Sequence, residues 1–318
     1  MKSLLSLLFF VLSVQFTFGQ ASKPKHIILI GIDGLGAYAF PRANLPAINK
    51  ELSKDTGTHF VDPNLFPKTR LPTFDKLMNE GAFSLEARSV LPSSSAVNWA
   101  SMTMGAGPEL HGYTEWGSQK PELPSRTLDQ YGLFPSIFAL MREQKPASEI
   151  GVVYEWDGIG YLLPKKALNS EINCEGDSAT AAAAVQYITS KKPDLMFVHF
   201  GDVDHVGHGV GHGTQAYHNQ IAKTDDYLKK IMEAITKAGI ADETLIIVSA
   251  DHGGINKGHG GKTMQEMRIP WIAYGKSVKR NGPITESIVT YDTAATIAWL
   301  FGLKVPQVWT GRAVKQIF

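Results

Sequence analysis

The feature that most constrains the fold of this chain is a series of short, continuous apolar segments. The first segment, His26–Ile32, ends at Asp33. The others cover residues 151–154, 194–200, 244–250 and 269–274. Continuous apolar runs of this length are typical of strands that are buried on both faces of a parallel sheet. Segments with helical patterns separate them, and this alternation predicts an α/β fold with a mostly parallel central sheet and helices on both faces.

Four stretches outside these strands have the apolar spacing of helices, at residues 73–79, 178–190, 214–237 and 290–300. A further stretch, Val97–Met104, can form a helix directly after a row of serines. Residues 112–149 are instead rich in Pro, Gly, Ser and charged side chains, which favour loops. We therefore expect a small loop-rich insertion near the functional site, and no linker that divides the mature chain.

The composition supports a globular protein with a sizeable core and narrows the range of partners. The 318 residues are 43% hydrophobic and 19% charged, and the formal net charge is +1. A chain with so even a charge balance gives no sign of binding to a nucleic-acid polymer or an anionic membrane surface. The single cysteine, Cys174, cannot form an internal disulfide. Stability must therefore come from the core and from any bound metal.

The first residues predict export. Lys2 precedes the apolar stretch Leu4–Val14, which is shorter than the roughly 20 residues of a membrane-spanning helix. Small residues then lead to Gly19, as they do at a signal peptidase site. We predict a signal peptide over residues 1–19, a single domain over residues 20–318, and a periplasmic or secreted location. No later segment is apolar enough to span a bilayer.

Aspartate and histidine side chains follow three of the apolar segments. They are Asp33, Asp204, His208, Asp251, His252 and, in a glycine-rich loop further on, His259. A single aspartate after a strand is usually a helix cap or a turn residue. The carboxyl ends of parallel strands, however, meet at the edge of the sheet where ligands bind, so these side chains should converge. The convergence predicts a metal site.

The spacing of these residues is compatible with two neighbouring ions. Asp204 and His208 lie on one face if their segment is helical, and its glycines would let it fold around an ion if it is a loop. Asp251 and His252 are adjacent and point in different directions. Two histidines with one aspartate are a common zinc set, and mixed carboxylate and imidazole ligands also suit manganese or iron. The nearby His212 and other histidines of this tract need not all be ligands.

Three serines, Ser93–Ser95, precede the predicted helix Val97–Met104. The positive end of a helix and its free amides form a natural phosphate site. A serine that touches a metal there can ionise near neutral pH and attack phosphorus. The alternative is an ordinary helix cap, which explains the serines without any catalysis.

The motifs occur in an order that resembles the alkaline phosphatase superfamily, and most closely its type I phosphodiesterase and nucleotide pyrophosphatase branch. Ser95-Ala-Val-Asn98 is similar to the Thr/Ser-x-Pro-Asn motif of the nucleophile, with valine in place of proline. Gly105–Gly112 matches a Gly-x-x-Pro-x-x-His-Gly element. The remaining matches are Asp204–His208 to Asp-x-x-Gly-His, Asp251–Gly253 to Asp-His-Gly, and His259-Gly260 to the last His-Gly pair.

This resemblance implies a two-zinc hydrolase domain with an alkaline phosphatase-like fold. One zinc would be held by Asp204, His208 and His259. The other would be held by Asp33, Asp251, His252 and the oxygen of Ser95. Ser95 would be the nucleophile and would form a phosphoseryl intermediate while the two cations clamp the phosphate. Asn98 would either hydrogen-bond a non-bridging oxygen or orient the loop. Trp99 would line the same region as a candidate contact of the substrate.

One departure from the family bears on the substrate. Nucleotide-cleaving relatives have an asparagine that contacts phosphate shortly after the His-Gly pair, whereas this chain has Glu115-Trp116-Gly117. Trp116 either stacks on part of the substrate or packs against the insertion. The Ser/Cys-x-Pro-x-Arg motif of sulfatases and the Asp-Ser-Ala motif of many phosphomonoesterases are both missing around Ser95.

We therefore expect an exported hydrolase of small phosphate esters, with diesters favoured, because no Arg or Lys can be assigned to the extra charge of a monoester. A phosphomonoesterase is the main alternative. A phosphomutase would use the same metal ligands, but the signal peptide argues against it. A binding protein without activity is a further alternative, and the complete set of six Asp and His residues with Ser95 argues against that.

Overall fold

The computed structural model describes residues 23–40, 69–279 and 281–318. The predicted signal peptide at residues 1–19 lies outside these residues. The described residues form one mixed sheet of eight strands. The strands are β1 (His26–Ile32), β2 (Ala82–Arg88), β3 (Ile150–Tyr154), β4 (Ser170–Asn173), β5 (Leu195–Phe200), β6 (Thr244–Ser249), β7 (Arg268–Tyr274) and β8 (Gly282–Pro283).

The order of the strands in the sheet is β4-β3-β5-β1-β6-β7-β2-β8. Strand β7 is antiparallel to both of its neighbours, β6 and β2, and the other neighbouring pairs are parallel. This arrangement confirms the predicted α/β fold with a mostly parallel sheet. Strands β2, β4 and the two-residue strand β8 were not predicted. The sequence of β2 contains Ser84 and Glu86 among its apolar residues, and β4 has no fully buried residue.

Nine α-helices accompany the sheet within the described ranges. They are α1 (Pro72–Glu80), α2 (Ser95–Met104), α3 (Pro108–His111), α4 (Ile137–Gln144), α5 (Asp177–Lys191), α6 (Asp202–Val210), α7 (Gln215–Lys237), α8 (Met264–Met267) and α9 (Asp292–Phe301). The four predicted helices correspond to α1, α5, α7 and α9, with ends that move by one or two residues. None of the helices in these ranges combines the length and hydropathy that crossing a bilayer requires.

The predicted insertion at residues 112–149 is mostly irregular, but it contains helix α4. Helix α4 begins after Ser136, whose side chain accepts a hydrogen bond from the amide of Ala139 and so caps the helix. The first five residues of α4 are buried in the core. Pro, Gly and charged residues dominate up to residue 136, but the apolar face of α4 packs like that of any core helix.

The three central strands position the site. Strand β1 lies between β5 and β6, and it pairs in parallel with both. Every residue of β1 after His26 is buried, which shows that both faces of the sheet are covered at this point. The carboxyl ends of β5, β1 and β6 therefore lie side by side at one edge of the sheet.

Candidate active site

Each of the three central strands leads directly into side chains that can bind a metal. Asp33 follows β1, and Asp251 with His252 follows β6. Asp204 and His208 lie on α6, which begins two residues after the end of β5. Because the strands are neighbours, all of these side chains lie at one edge of the sheet. His259 joins them from the loop between β6 and α8.

The first group of ligand atoms consists of carboxylate oxygens of Asp33 and Asp251 and the Nε2 of His252. The Nε2 of His252 lies 3.1 Å from Asp251 Oδ2 and 3.5 Å from Asp33 Oδ1. The Oγ of Ser95 lies 3.1 Å from the same Nε2. Ser95 is the first residue of α2, so its hydroxyl stands at the positive end of that helix.

The second group consists of Asp204, His208 and His259. The Nε2 of His208 lies 3.1 Å from Asp204 Oδ2 and 3.1 Å from the Nε2 of His259. The Nε2 of His259 lies 4.0 Å from Asp204 Oδ2. The rings of His252 and His259 stack with centroids 3.7 Å apart, so the two groups are contiguous.

The three histidines share one orientation. In each ring Nδ1 faces a backbone carbonyl oxygen, and Nε2 faces the carboxylates. The carbonyl partners are Gly253 for His252 at 2.7 Å, Lys257 for His208 at 2.8 Å and Ser93 for His259 at 3.2 Å. A protonated Nδ1 that donates to a carbonyl leaves Nε2 as a lone-pair donor, which is the arrangement of histidines that bind metals.

The buried carboxylates of the site lack the partners that buried charges require. Asp33 Oδ1, Asp204 Oδ1 and Asp251 Oδ2 accept no hydrogen bond from the part of the chain that the structure describes. Burial, together with the neighbouring Asp33 and Asp204, raises the pKa of Asp251 well above its ordinary value. A site with excess negative charge, unpartnered oxygens and three convergent imidazoles fits divalent cations, so the donor set suits the metal ions that the sequence predicts.

Asp33 is held by two residues that the metal-ligand prediction did not include. Its Oδ2 accepts a hydrogen bond from Trp99 Nε1 at 3.1 Å and lies 3.2 Å from His199 Nε2. Burial favours a higher pKa for Asp33, but these contacts and the nearby His252 outweigh it and hold the pKa well below its usual range. Oδ2 is therefore occupied by the protein, and Oδ1 faces the site.

The prediction that Trp99 contacts the substrate is wrong. The indole is fully buried, and it packs on Phe197 and His199 beneath the sheet edge. Its ring lies so close to Gly31 that a Cβ there would overlap it. Trp99 instead supports Asp33 through its N–H group. The apolar surroundings of Trp99 could not be told from the sequence, because its position depends on packing between distant segments.

Asn98 has a structural role, which was one of its two predicted roles. Its Nδ2 donates hydrogen bonds to the carbonyls of Val90, Pro92 and Ser94, and its Oδ1 accepts one from the amide of Val90 at 2.7 Å. These contacts use the donors and the acceptor of the amide group, and the side chain is fully buried. They leave no group of the amide for a phosphate oxygen, so Asn98 orients the serine loop and the alternative catalytic role is wrong.

Trp116 is exposed beside the nucleophile. Its carbonyl oxygen accepts a hydrogen bond at 3.0 Å from the amide of Ala96, the residue that follows Ser95. Its side chain is 67% exposed, which excludes the prediction that it packs against the insertion. The turn is held by Glu122, whose carboxylate accepts hydrogen bonds from Thr114 and Ser118. The Trp116 ring is thus exposed on a turn that several hydrogen bonds hold in place.

Glu266 connects the two ends of the loop that carries His252 and His259. Its carboxylate accepts hydrogen bonds from the amide of Gly261 and the hydroxyl of Thr263, within a capping box at the start of α8. Its carbonyl accepts one from the amide of Gly253 at 2.6 Å. Glu266 thereby fixes the segment after His259 to the segment after His252, without touching the ligand atoms itself.

Comparison with solved structures shows the same fold. Murine ectonucleotide pyrophosphatase / phosphodiesterase 5 is similar with a TM-score of 0.65 at 13% identity, over 89% of this chain and 96% of that one. A 2-O GAG sulfatase is similar with a TM-score of 0.67 at 15% identity, over 92% of this chain and 73% of that one. These likenesses show the fold, and it is the fold that the resemblance to the alkaline phosphatase superfamily implies.

The sequence comparison specifies the branch of this superfamily. The model of the type I phosphodiesterase / nucleotide pyrophosphatase family matches residues 27–257, which is most of the chain. The protein belongs to this family. The matched region includes Ser95 and every metal-ligand candidate except His259, and membership supports an activity on phosphate esters.

Curated relatives match over shorter stretches. GPI ethanolamine phosphate transferase 3 of Schizosaccharomyces pombe is 30% identical over 138 residues, which are 42% of this chain and 14% of the relative. Phosphopentomutase of Agathobacter rectalis is 34% identical over 120 residues, which are 38% of this chain and 29% of the relative. The matches thus span less than a third of the length of these relatives.

Proposed function

We propose that the protein hydrolyses small phosphate esters, with diesters favoured, by means of two metal ions and the nucleophile Ser95. One observation carries the proposal: buried oxygens that accept no hydrogen bond converge with three histidine Nε2 atoms beside the hydroxyl of Ser95. Zinc is the metal we propose, and the same donors also accept manganese or iron.

The ligand candidates form two sets, and each set would hold one cation. Asp33, Asp251, His252 and Ser95 would hold one ion, and Asp204, His208 and His259 would hold the other. When bound, the two cations neutralise phosphate oxygens and favour the ionised form of a serine hydroxyl. The amino end of α2, where Ser95 lies, adds partial positive charge and free amides at the same place.

Ser95 would act in two steps. Its Oγ forms a bond to phosphorus as the bond between phosphorus and the leaving oxygen breaks, and the leaving alcohol takes a proton. Water then attacks phosphorus, the bond to Ser95 Oγ breaks, and the product phosphate departs while the serine recovers its proton. The phosphoseryl enzyme is the intermediate that connects the two steps.

The substrate class follows from what surrounds Ser95. The sequence places no Arg or Lys in the nucleophile segment Leu91–Gly105 to balance the second charge of a monoester. Trp116, whose carbonyl binds the amide that follows Ser95, has an exposed ring that would offer a flat apolar surface to the organic group of a diester. A sulfate ester is disfavoured because the sulfatase nucleophile motif is missing around Ser95.

The test compares hydrolysis of bis-p-nitrophenyl phosphate and p-nitrophenyl phosphate by the purified protein, with metal content measured in the same samples. We expect about two ions per chain, faster release from the diester, and a loss of at least ~10³-fold in Ser95→Ala with its metal retained. Ser101→Ala, in the same helix, is the matched control and should keep its activity. Wild-type rates in Ser95→Ala, or a protein without bound metal, would rule out the proposal.

A phosphoryl transfer within or between substrates is the second candidate. Its support is the local similarity to phosphopentomutase and to GPI ethanolamine phosphate transferase 3. An enzyme of this kind would pass the phosphoryl group from Ser95 to an alcohol rather than to water. Conversion of a pentose 1-phosphate into its 5-phosphate, without release of inorganic phosphate, would favour this candidate over hydrolysis.

Export is also a proposal, supported by the pattern of residues 1–19. Expression of the full chain in a bacterial host, followed by N-terminal sequencing of the protein in the periplasm and medium, tests it. A mature N-terminus at Gln20 is the expected result. Recovery of the uncleaved chain in the cytoplasm would contradict it.

A further inference from the structure

His212 lies in the turn between α6 and α7, beside the second group of ligands. Its side chain is 0% exposed. Its amide donates a hydrogen bond at 2.7 Å to the carbonyl of Asn256, in the loop that leads to His259. The backbone of His212 is thus tied to a loop that carries a ligand candidate, although the turn belongs to a different part of the chain.

Two glycines make room for the ring of His212. A Cβ at Gly207, within α6, would overlap the ring, and so would a Cβ at Gly254, after His252. The ring therefore fills the space between the helix of Asp204 and His208 and the loop of Asp251 and His252. Packing on both sides fixes its orientation.

The ring is directed at Asp204. The Nε2 of His212 lies 3.6 Å from Asp204 Oδ1, while the other oxygen, Oδ2, faces His208 and His259. Asp204 Oδ1 and both ring nitrogens of His212 are buried and form no hydrogen bond within the described residues. Buried polar atoms of this kind are rare in native proteins, and two of them that face each other call for a common explanation.

We propose that His212 is a positioning residue for the ion at Asp204, His208 and His259, because its Nε2–H donates to Asp204 Oδ1 and so presents Oδ2 to that ion. This inference rests on the proposed two-metal function. The contact of 3.6 Å shortens to a hydrogen bond when Oδ2 is drawn to a cation. Carboxylate ligands that are oriented by such a neighbour bind metal more tightly, typically by 10- to 100-fold.

Direct binding of His212 to the ion does not fit the geometry as well. Its Nε2 faces Oδ1, on the side of the carboxylate away from the atoms that His208 and His259 approach. The ring centroids of His208 and His212 are 6.0 Å apart. His212 therefore acts through Asp204 and is not a ligand itself.

The experiment measures the affinity of metal-depleted protein for Zn²⁺ by competition with a chromogenic chelator. His212→Gln keeps an N–H donor near the position of Nε2, His212→Met keeps the bulk without the donor, and His212→Asn keeps a polar group that is too short. We expect one of two ions to bind 10- to 100-fold more weakly in the Met and Asn variants, and within about threefold of wild type in the Gln variant.

His111→Met is the matched control. His111 is as buried as His212, but its ring nitrogens are engaged by Ser101 and Tyr113, on α2 and after α3. Its replacement perturbs the core, yet both ions should bind with wild-type affinity. If the Met variant at position 212 does not fold, the comparison of Gln with Asn decides the question alone, since both side chains are polar amides.

The outcomes separate this inference from the proposed function. Two results would overturn the positioning role while the wild type still binds two ions. One is a Zn²⁺ affinity equal to that of the wild type in all three variants. The other is an equal loss of Zn²⁺ affinity in the Gln and Asn variants. A wild-type protein that binds no Zn²⁺ would overturn the two-metal function itself, and the inference with it.

Discussion

Trp99 and Asp33 form a direct link between the hydrophobic core and the candidate metal site. The indole Nε1–H donates to Asp33 Oδ2 at 3.1 Å, and His199 Nε2 lies 3.2 Å from the same oxygen. Gly31, on β1, allows the ring to pack against the strand that ends at Asp33. The position of the Asp33 carboxylate thus depends on a core residue that is not itself a metal-ligand candidate.

Replacement of Trp99 by phenylalanine should weaken metal binding more than it weakens the fold. The variant keeps an aromatic ring in the core but leaves Asp33 Oδ2 with one donor fewer. We expect a 10- to 100-fold loss in affinity for one ion, together with a destabilisation of about 1–3 kcal/mol from the lost hydrogen bond to a buried carboxylate. Metal titration and denaturant unfolding measure the two effects.

Trp271→Phe is the control for this variant. Trp271 is fully buried, and its Nε1 donates to Thr293 Oγ1 at 3.1 Å, so the change removes a similar hydrogen bond. Its stability should fall by a comparable amount and its metal affinity should stay that of the wild type. Equal metal affinities in the two variants would refute a specific role of Trp99.

Asp251→Asn should stabilise the metal-free protein and remove most of the effect of chelators on stability. Burial and the charges of Asp33 and Asp204 disfavour an ionised Asp251 when no cation is present. The amide oxygen of asparagine can still accept the hydrogen bonds from Gly34 and His252. The metal-free variant should therefore melt at a higher temperature than metal-free wild type, by a few °C, and gain little when Zn²⁺ is added.

Thermal melts with and without EDTA check this expectation. Wild type should gain stability from Zn²⁺, because the ions bind only the folded state. If both metal-free proteins melt at the same temperature, the carboxylates do not repel one another in the way that the structure indicates.

Asp177, which is not a metal-ligand candidate, should make the free energy of unfolding depend on pH. Burial, with a contribution from Asp202, raises its pKa to about 8. A carboxyl with a raised folded-state pKa binds more protons when folded than when unfolded, so stability falls as pH rises from about 4 to about 8. Asp177→Asn removes this dependence, since an amide oxygen can still accept from the amides of Gly201 and Asp202.

Denaturant unfolding of wild type and Asp177→Asn at pH 5 and pH 8 tests the sign. The advantage of the variant should be larger at pH 8, by about 1 kcal/mol or more. Asp75→Asn, at an exposed site on α1, is the control and should show no such trend. An advantage that is the same at both pH values would show that Asp177 is ionised throughout this range.

Trp116→Ala should affect the substrate and leave the fold intact. The side chain is exposed, and alanine keeps the carbonyl that binds the amide of Ala96. We expect an unfolding free energy within about 0.5 kcal/mol of wild type. KM for bis-p-nitrophenyl phosphate should rise about 2- to 10-fold, as expected for the loss of an aromatic contact. Leu128→Ala, an exposed apolar residue of the same insertion, should leave KM unchanged.

The sequence predicted the central strands and the convergence of the Asp and His side chains because both depend on local patterns. The apolar runs that became β1, β5 and β6 are continuous, and the Asp or His residues follow them closely. The rule that ligands gather at the carboxyl ends of parallel strands then brings Asp33, Asp204 and Asp251 together. All six Asp and His candidates lie within one cluster.

The supporting residues could not be predicted in the same way. Trp99 resembled a substrate contact because it follows the nucleophile motif, and only tertiary packing shows that its ring is buried under Gly31. His199 lies inside β5, and the continuous apolar run around it gives no sign that its ring reaches Asp33. Whether a polar side chain faces the site or the core depends on neighbours from other strands.

The adjacency of β5, β1 and β6 bears on when the proposed ions could bind. Asp33 directly follows β1, and that strand pairs with Leu195–Phe200 and Thr244–Ser249, which come much later in the chain. His259 comes later still. If the site binds metal as proposed, metal loading follows closure of the sheet, and a truncated chain that lacks β6 should bind no ion at Asp33.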